Sequence, residues 1–266
     1  MNEDDRDPFT QISCTDIILR RKSEEMEADG FIMVRNRRKP RIGRMPKINC
    51  ASSACATTSD TTYSSVSSAL NDSTSVLTHH RYSDQVIKML ENVLNGRSVS
   101  QLRAVGVGNF SVRRSIGCLQ MALFVALRNR FSCRATFQEP LVTDAEKDWL
   151  SLNNIDLVPS SDLSSEEPFD ENQNSVTIFY MPHCEHIFYH NLISAQCENN
   201  LNRLIVIGNN FSNYVTVARN SININVAHLY QKYASHSLPM FPFSDTIFND
   251  TAINFIPHIV LNESNV

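Results

Sequence analysis

From Tyr82 onward, apolar residues fall into short continuous runs separated by stretches with helical spacing. Val86, Ile87, Leu90, Val93 and Leu94 share one helical face, which predicts a helix from about Tyr82 to Leu94, opened by Ser83 and Asp84 and stopped by Gly96. The alternation then continues along the chain. Strands are predicted at Leu102–Val107, Ala135–Gln138, Ile155–Val158, Val176–Tyr180 and Leu204–Ile207. Helices are predicted at Arg113–Phe131, Asp144–Asn153 and about Cys184–Asn199. A polar, acidic loop spans Pro159–Asn174, a further helix is expected over Val215–Tyr233, and a last strand over Ala252–Ile256. Continuous apolar strands alternating with helices predict a Rossmann-like, doubly wound and mostly parallel α/β sheet covered on both faces, with right-handed crossovers.

Before residue 80 this pattern is not sustained. Ala51–Thr78 is a Ser/Thr-rich stretch with 15 such residues in 28, a composition too polar to offset its ordering entropy. Residues 1–80 are therefore expected to be a disordered N-terminal arm, with a basic cluster over 35–47 and a Ser/Thr-rich linker over 51–78, ahead of an α/β domain over 81–266. The net charge of the 266 residues is −4, yet Arg35, Arg37, Arg38, Lys39, Arg41, Arg44 and Lys47 all lie in the arm. This segment is a candidate nuclear-import or nucleic-acid contact, and equally a solvated tail.

The acidic start Met1-Asn2-Glu3-Asp4-Asp5 does not resemble an export signal, so a cytoplasmic or nuclear location is expected. The longest apolar run, Leu119–Leu127, is about half of what a bilayer-spanning helix needs, so no membrane partner is expected. Seven cysteines without a Cys-x-x-Cys pair suggest neither a disulfide framework nor a zinc ribbon.

In an open α/β sheet the ligand crevice lies beyond the carboxyl ends of the strands, where strand order reverses. An order 3-2-1-4-5 would bring three loops there: Gly106-Val107-Gly108-Asn109-Phe110, Met181-Pro182-His183-Cys184-Glu185 and Gly208-Asn209-Asn210-Phe211. The first offers backbone N–H groups to a phosphate or carboxylate, with Arg113 and Arg114 nearby. Ser111 stands where a dinucleotide fingerprint has its third glycine, and Glu139 is the candidate acid for ribose hydroxyls. A nucleotide or S-adenosylmethionine-like ligand is one reading of this loop; a tight strand-to-helix turn is the other.

In the second loop, His183, Cys184, His186 and His190 are weak candidates for a metal, or for axial ligation of haem. Cys184 at a helix N-terminus is a candidate low-pKa thiolate, while Glu185 and His183 are candidate caps. The candidate crevice thus comprises Gly106, Gly108, Asn109, Glu139, Pro182, His183, Cys184, Glu185, Gly208 and Asn209, with no catalytic residue assigned.

Taken together, Val105-Gly106-Val107-Gly108-Asn109-Phe110-Ser111, Leu119-Gln120-Met121-Ala122-Leu123, Phe179-Tyr180-Met181-Pro182-His183-Cys184-Glu185 and Gly208-Asn209-Asn210-Phe211 resemble the sensitivity-to-red-light-reduced (SRR-like) family over about residues 82–258. Phe31-Ile32-Met33-Val34 resembles that family's short N-terminal motif. Glu139, Asn210 and Gln196-Cys197 depart from its pattern. The resemblance implies a cytoplasmic and nuclear regulator of circadian-clock input, of clock-gene expression and of haem biosynthesis, with no reaction attached. A nucleotide- or S-adenosylmethionine-dependent transferase and a haem or metal sensor are the alternatives.

Overall fold

A computed structural model describes residues 62–158, 174–196, 198–213 and 230–257. The basic cluster, the acidic loop over 159–173 and the helix expected over Val215–Tyr233, apart from its last residues, lie outside them.

Helix α1, Tyr63–His79, corrects the expectation of a disordered arm through residue 80. Thr62 and Ser65 form a capping box at its start, and Val66, Ala69, Leu70, Ser73 and Leu77 line one buried face. Within this helix Ser64, Ser65, Ser68, Thr74, Ser75 and Thr78 are exposed on the other face. Helix α2, Tyr82–Leu94, follows, and the alternating unit then begins: β1 (Ser98–Val105), α3 (Ile116–Phe131), β2 (Arg134–Gln138), α4 (Asp144–Leu152), β3 (Asp156–Leu157), β4 (Ser175–Met181), α5 (His186–Ala195) and β5 (Leu204–Asn209). Two further strands, β6 (Ala234–Ser237) and β7 (Thr251–Phe255), complete the sheet.

The seven strands run β3-β2-β1-β4-β5-β7-β6. Strands β1 to β5 pair in parallel, and β7 lies antiparallel between β5 and β6. The expected 3-2-1-4-5 order is present, and strand order reverses between β1 and β4. Strand β6 has no sequence precedent because Ala234-Ser235-His236-Ser237 lacks an apolar run; it forms by pairing with β7. Helix α3 starts at Ile116, not at Arg113, because the Ser115 hydroxyl caps it by accepting from Cys118 N–H. The helix expected over Cys184–Asn199 divides into α5 and a 3-10 turn at Glu198–Arg203.

One face of the sheet, with Leu102, Phe137, Ile178 and Ile205, packs with α1 to α4 in the main core. The other face packs Val105, Phe179, Met181 and Val206 with Tyr189 and Leu192 of α5. On that second face β1 and β2 carry a buried polar row. The Arg103 guanidinium donates to Gln138 Oε1 at 3.0 Å and lies 5.2 Å from the centre of the Phe179 ring.

Because Leu70 is only 4% exposed in the main core, Leu70→Ala should destabilise the full chain by about 2–5 kcal/mol in urea unfolding. A disordered arm would show no change.

Candidate functional site

The strand-order reversal leaves the ends of β1 and β4 side by side, and the three sequence-flagged loops converge there. Gly106 follows β1 in the left-handed region, φ +67°, and its N–H donates to Gln138 O at 3.0 Å. Three of the N–H groups beyond it are already bonded. Gly108 donates to Glu139 Oε2 at 3.0 Å, and Phe110 and Ser111 donate to Glu146 Oε1 at 2.7 and 3.0 Å. Glu146 is buried, and its other oxygen accepts from the backbone and hydroxyl of Thr143, at 2.9 Å each.

The two arginines beyond the turn are also engaged. Both pair with Asp72 of α1, Arg114 Nε at 2.6 Å. The Arg113 and Arg114 guanidiniums hold the Asp72 carboxyl well below the usual carboxylate range. Ser111 stands where a third glycine was sought, but the close approach belongs to Gly117 of α3. A Cβ there would lie 2.3 Å from Asn109 O, so only glycine lets α3 reach the turn.

After β4, His183 sits at φ +57° and turns the chain into α5. Its N–H donates to Asn209 Oδ1 at 3.1 Å, and Asn209 Nδ2 donates to Cys184 O at 3.1 Å, which ties this turn to the end of β5. The His183 ring leaves the crevice: Ile247 O accepts from Nε2 at 2.8 Å and from Gln120 Nε2 at 3.0 Å. The Tyr189 hydroxyl donates to Met181 O and accepts from Asn209 N–H. A Cβ on Gly208 would stand 2.7 Å from the Tyr189 ring, so that position too requires glycine. Glu185 stands at the N-cap of α5, but its side chain makes no capping bond, which corrects the expected cap.

Cys184 is buried. Its thiol points back to Val105 O at 3.4 Å, and burial, with smaller contributions from Glu139 and Glu185, pushes its pKa up to about 12. The low-pKa thiolate is therefore corrected to a neutral thiol at physiological pH, because a helix N-terminus does not compensate for desolvation and two nearby acids. Burial and then His190 lower the His186 pKa, and its ring packs edge-on to Tyr230. Among the described residues no group of three or more His, Cys, Asp or Glu is placed to hold a metal ion.

A cavity of about 420 Å³ opens between the first two of these loops and the segment after β2, lined by Val105, Gly106, Gln138, Glu139, Pro140, Cys184 and Phe188. Gly106, Glu139 and Cys184 thus meet in one space. Gly108, Asn109, Pro182, His183, Glu185, Gly208 and Asn209 lie in the three loops but not in the lining. Sequence reasoning missed Val105, Gln138, Pro140 and Phe188, which carry no chemical signature, and Glu146, which does: Thr143-Asp144-Ala145-Glu146 is a capping box. Among the described residues, no helix is long and apolar enough to cross a membrane.

The SRR1 domain family model matches residues 86–255. No curated relative matches the chain. Two similar solved structures are of the plantazolicin methyltransferase BpumL. The complex with SAH is 12% identical, covers 62% of this chain and 60% of that chain, and has a TM-score of 0.30. The complex with a monoazolic desmethylPZN analog and SAH is 10% identical, covers 63% and 66%, and has a TM-score of 0.27. The chain thus spans less than two thirds of the length of either.

Two outcomes follow from the geometry. Glu146→Ala leaves the Phe110 N–H and the N–H and hydroxyl of Thr143 without their acceptor, Ser111 keeping Asn109 Oδ1, and should cost about 3 kcal/mol or more in chemical denaturation, with Glu146→Gln costing less. A thiol with its pKa moved from 9.0 to about 12 has roughly a thousandfold less thiolate at pH 8. Peptide mapping after iodoacetamide treatment of the native protein should find Cys184 unmodified at pH 8 and modified only as the pH approaches 12.

Proposed function

The chain belongs to the SRR1 domain family, and from that membership we propose that it is a regulatory protein whose α/β domain binds a small ligand in the cavity beyond β1 and β2. The roles implied by the SRR-like resemblance, circadian-clock input with clock-gene expression and control of haem biosynthesis, are the cellular outputs of this reading. The cytoplasm and nucleus are its compartments, and the Arg35–Lys47 cluster is its import or partner-contact segment.

The observation that carries the reading is the cavity itself. Its volume suits one small molecule, and it lies at the point of strand reversal where open α/β sheets take their ligands. Its chemistry favours binding over turnover. The Cys184 thiol is held neutral, and the His183 ring is committed to Ile247 O, so neither serves as nucleophile or base toward the cavity.

A second reading, a nucleotide- or S-adenosylmethionine-dependent transferase, is favoured by one placement: Glu139, directly after β2, lines the same cavity as Gly106. In that reading Glu139 holds the ribose hydroxyls and the Pro182–Glu185 turn faces the acceptor. Product formation from a defined acceptor, lost in Glu139→Ala, would select it.

Thermal denaturation of the full chain with a panel of nucleosides, nucleotides, S-adenosylmethionine and haem tests ligand binding. At least one member should raise Tm, and Phe188→Arg, which places a charge at the half-exposed mouth, should abolish that rise. Cells lacking the protein should regain transcript rhythm and haem content with the wild type but not with Phe188→Arg at equal abundance. A panel wholly without effect sinks the binding reading, and full rescue by Phe188→Arg sinks its link to regulation.

A further inference from the structure

The chemistry of the cavity narrows its ligand, an inference that rests on the ligand-binding reading above. A glycine turn after β1 ordinarily recommends a phosphate, because its N–H groups stand free at a positive end of the backbone. Here Gly108 donates to Glu139, and Phe110 and Ser111 donate to Glu146. Carboxylates of the chain itself thus occupy three of the turn's N–H donors, Gly108, Phe110 and Ser111.

The cations nearest the turn are likewise committed. Arg113 and Arg114 are both paired to Asp72, and Arg103, 2% exposed, donates to Gln138 behind the lining. The lining holds one ionisable acid, Glu139, and no cation. A phosphate placed there would meet a carboxylate with no compensating charge.

Hydroxyl groups meet the opposite situation. Each Glu139 oxygen accepts one backbone N–H, from Gly108 or Leu141, and retains a second lone pair for an O–H donor. The rest of the wall carries no charge: Val105, Gly106, Pro140, Phe188, the Cys184 thiol and Gln138, whose amide oxygen accepts from Arg103. The Phe188 ring and Pro140 offer flat surface to a heterocycle at the mouth. We propose that this cavity binds an uncharged nucleoside, its vicinal ribose hydroxyls donating to Glu139 and its base lying against Pro140 and Phe188, and that it excludes the phosphorylated nucleotide.

Adenosine and AMP differ by the phosphate alone and are the probes. Calorimetric titration and thermal denaturation of the full chain should show adenosine raising Tm by about 5 °C at a hundredfold excess over its Kd. AMP should bind at least about tenfold more weakly. Glu139→Gln, whose amide oxygen still accepts from Gly108, should weaken adenosine at least about tenfold. Phe188→Ala, on a different element and half-exposed, provides a second loss of affinity should the first variant fold poorly.

AMP binding as tightly as adenosine overturns phosphate exclusion and leaves ligand binding at the cavity standing. Adenosine bound equally by folded Glu139→Gln overturns the contact with the diol. Neither probe binding while another member of the panel binds overturns the nucleoside assignment alone.

Discussion

The backbone N–H groups of the turn after β1 emerge at the carboxyl end of a buried parallel strand, where each needs an acceptor. The chain supplies its own carboxylates to three of them. Glu139, at the end of β2, accepts from Gly108, and Glu146, in the first turn of α4, accepts from Phe110 and Ser111. The end of β2 and the start of α4 are thereby locked to the loop that joins β1 to α3. The same constraint reaches α1, because Arg113 and Arg114 follow the turn directly and both reach Asp72. It also sets the chemistry of the cavity beside the turn, whose lining holds one carboxylate, Glu139, and no cation.

The opposite wall is built by a second set of polar contacts that hold backbone in place. His183, Asn209, Tyr189 and Gln120 all stand in or beside the stretches that looked most functional. Their side chains bond to backbone groups: His183 and Gln120 to Ile247 O, Asn209 to the His183 N–H and Cys184 O, Tyr189 to Met181 O and the Asn209 N–H. Buried backbone turns of this kind cannot exist without such partners. The distinctive residues of these stretches thus shape the crevice in this chain, while quieter neighbours such as Val105, Pro140 and Phe188 line the cavity.

Local pattern carried most of the fold. Strands β1, β2, β4 and β5 and helices α2 to α4 were legible because each buries a face whose period matches its geometry. Helix α1 was not legible because its buried face, Val66, Ala69, Leu70, Ser73 and Leu77, includes a serine and a small alanine within a Ser/Thr-rich stretch, too weak an apolar period to stand out. Strand β6 could not be read, since its identity lies in its pairing with β7 and not in its own residues. At the site, Gly106, Glu139 and Cys184 were legible as unusual residues at strand ends. The direction of the His183 ring and the state of the Cys184 thiol were not, because both depend on what lies opposite.

The amino-acid sequence by itself determined the alternation of apolar runs and helical faces, the parallel α/β class that it implies, and the three unusual loops at the strand ends; the 3-2-1-4-5 order that gathers them was a condition that the structure met. These are consequences of short-range periodicity and of the handedness of crossovers, which act along the chain. Only the tertiary structure decided what the gathered loops present. It set Glu139 and Glu146 against the glycine turn, Asp72 against the arginines and the Cys184 thiol against Val105 O, because donors and acceptors distant in sequence must satisfy one another once water has left.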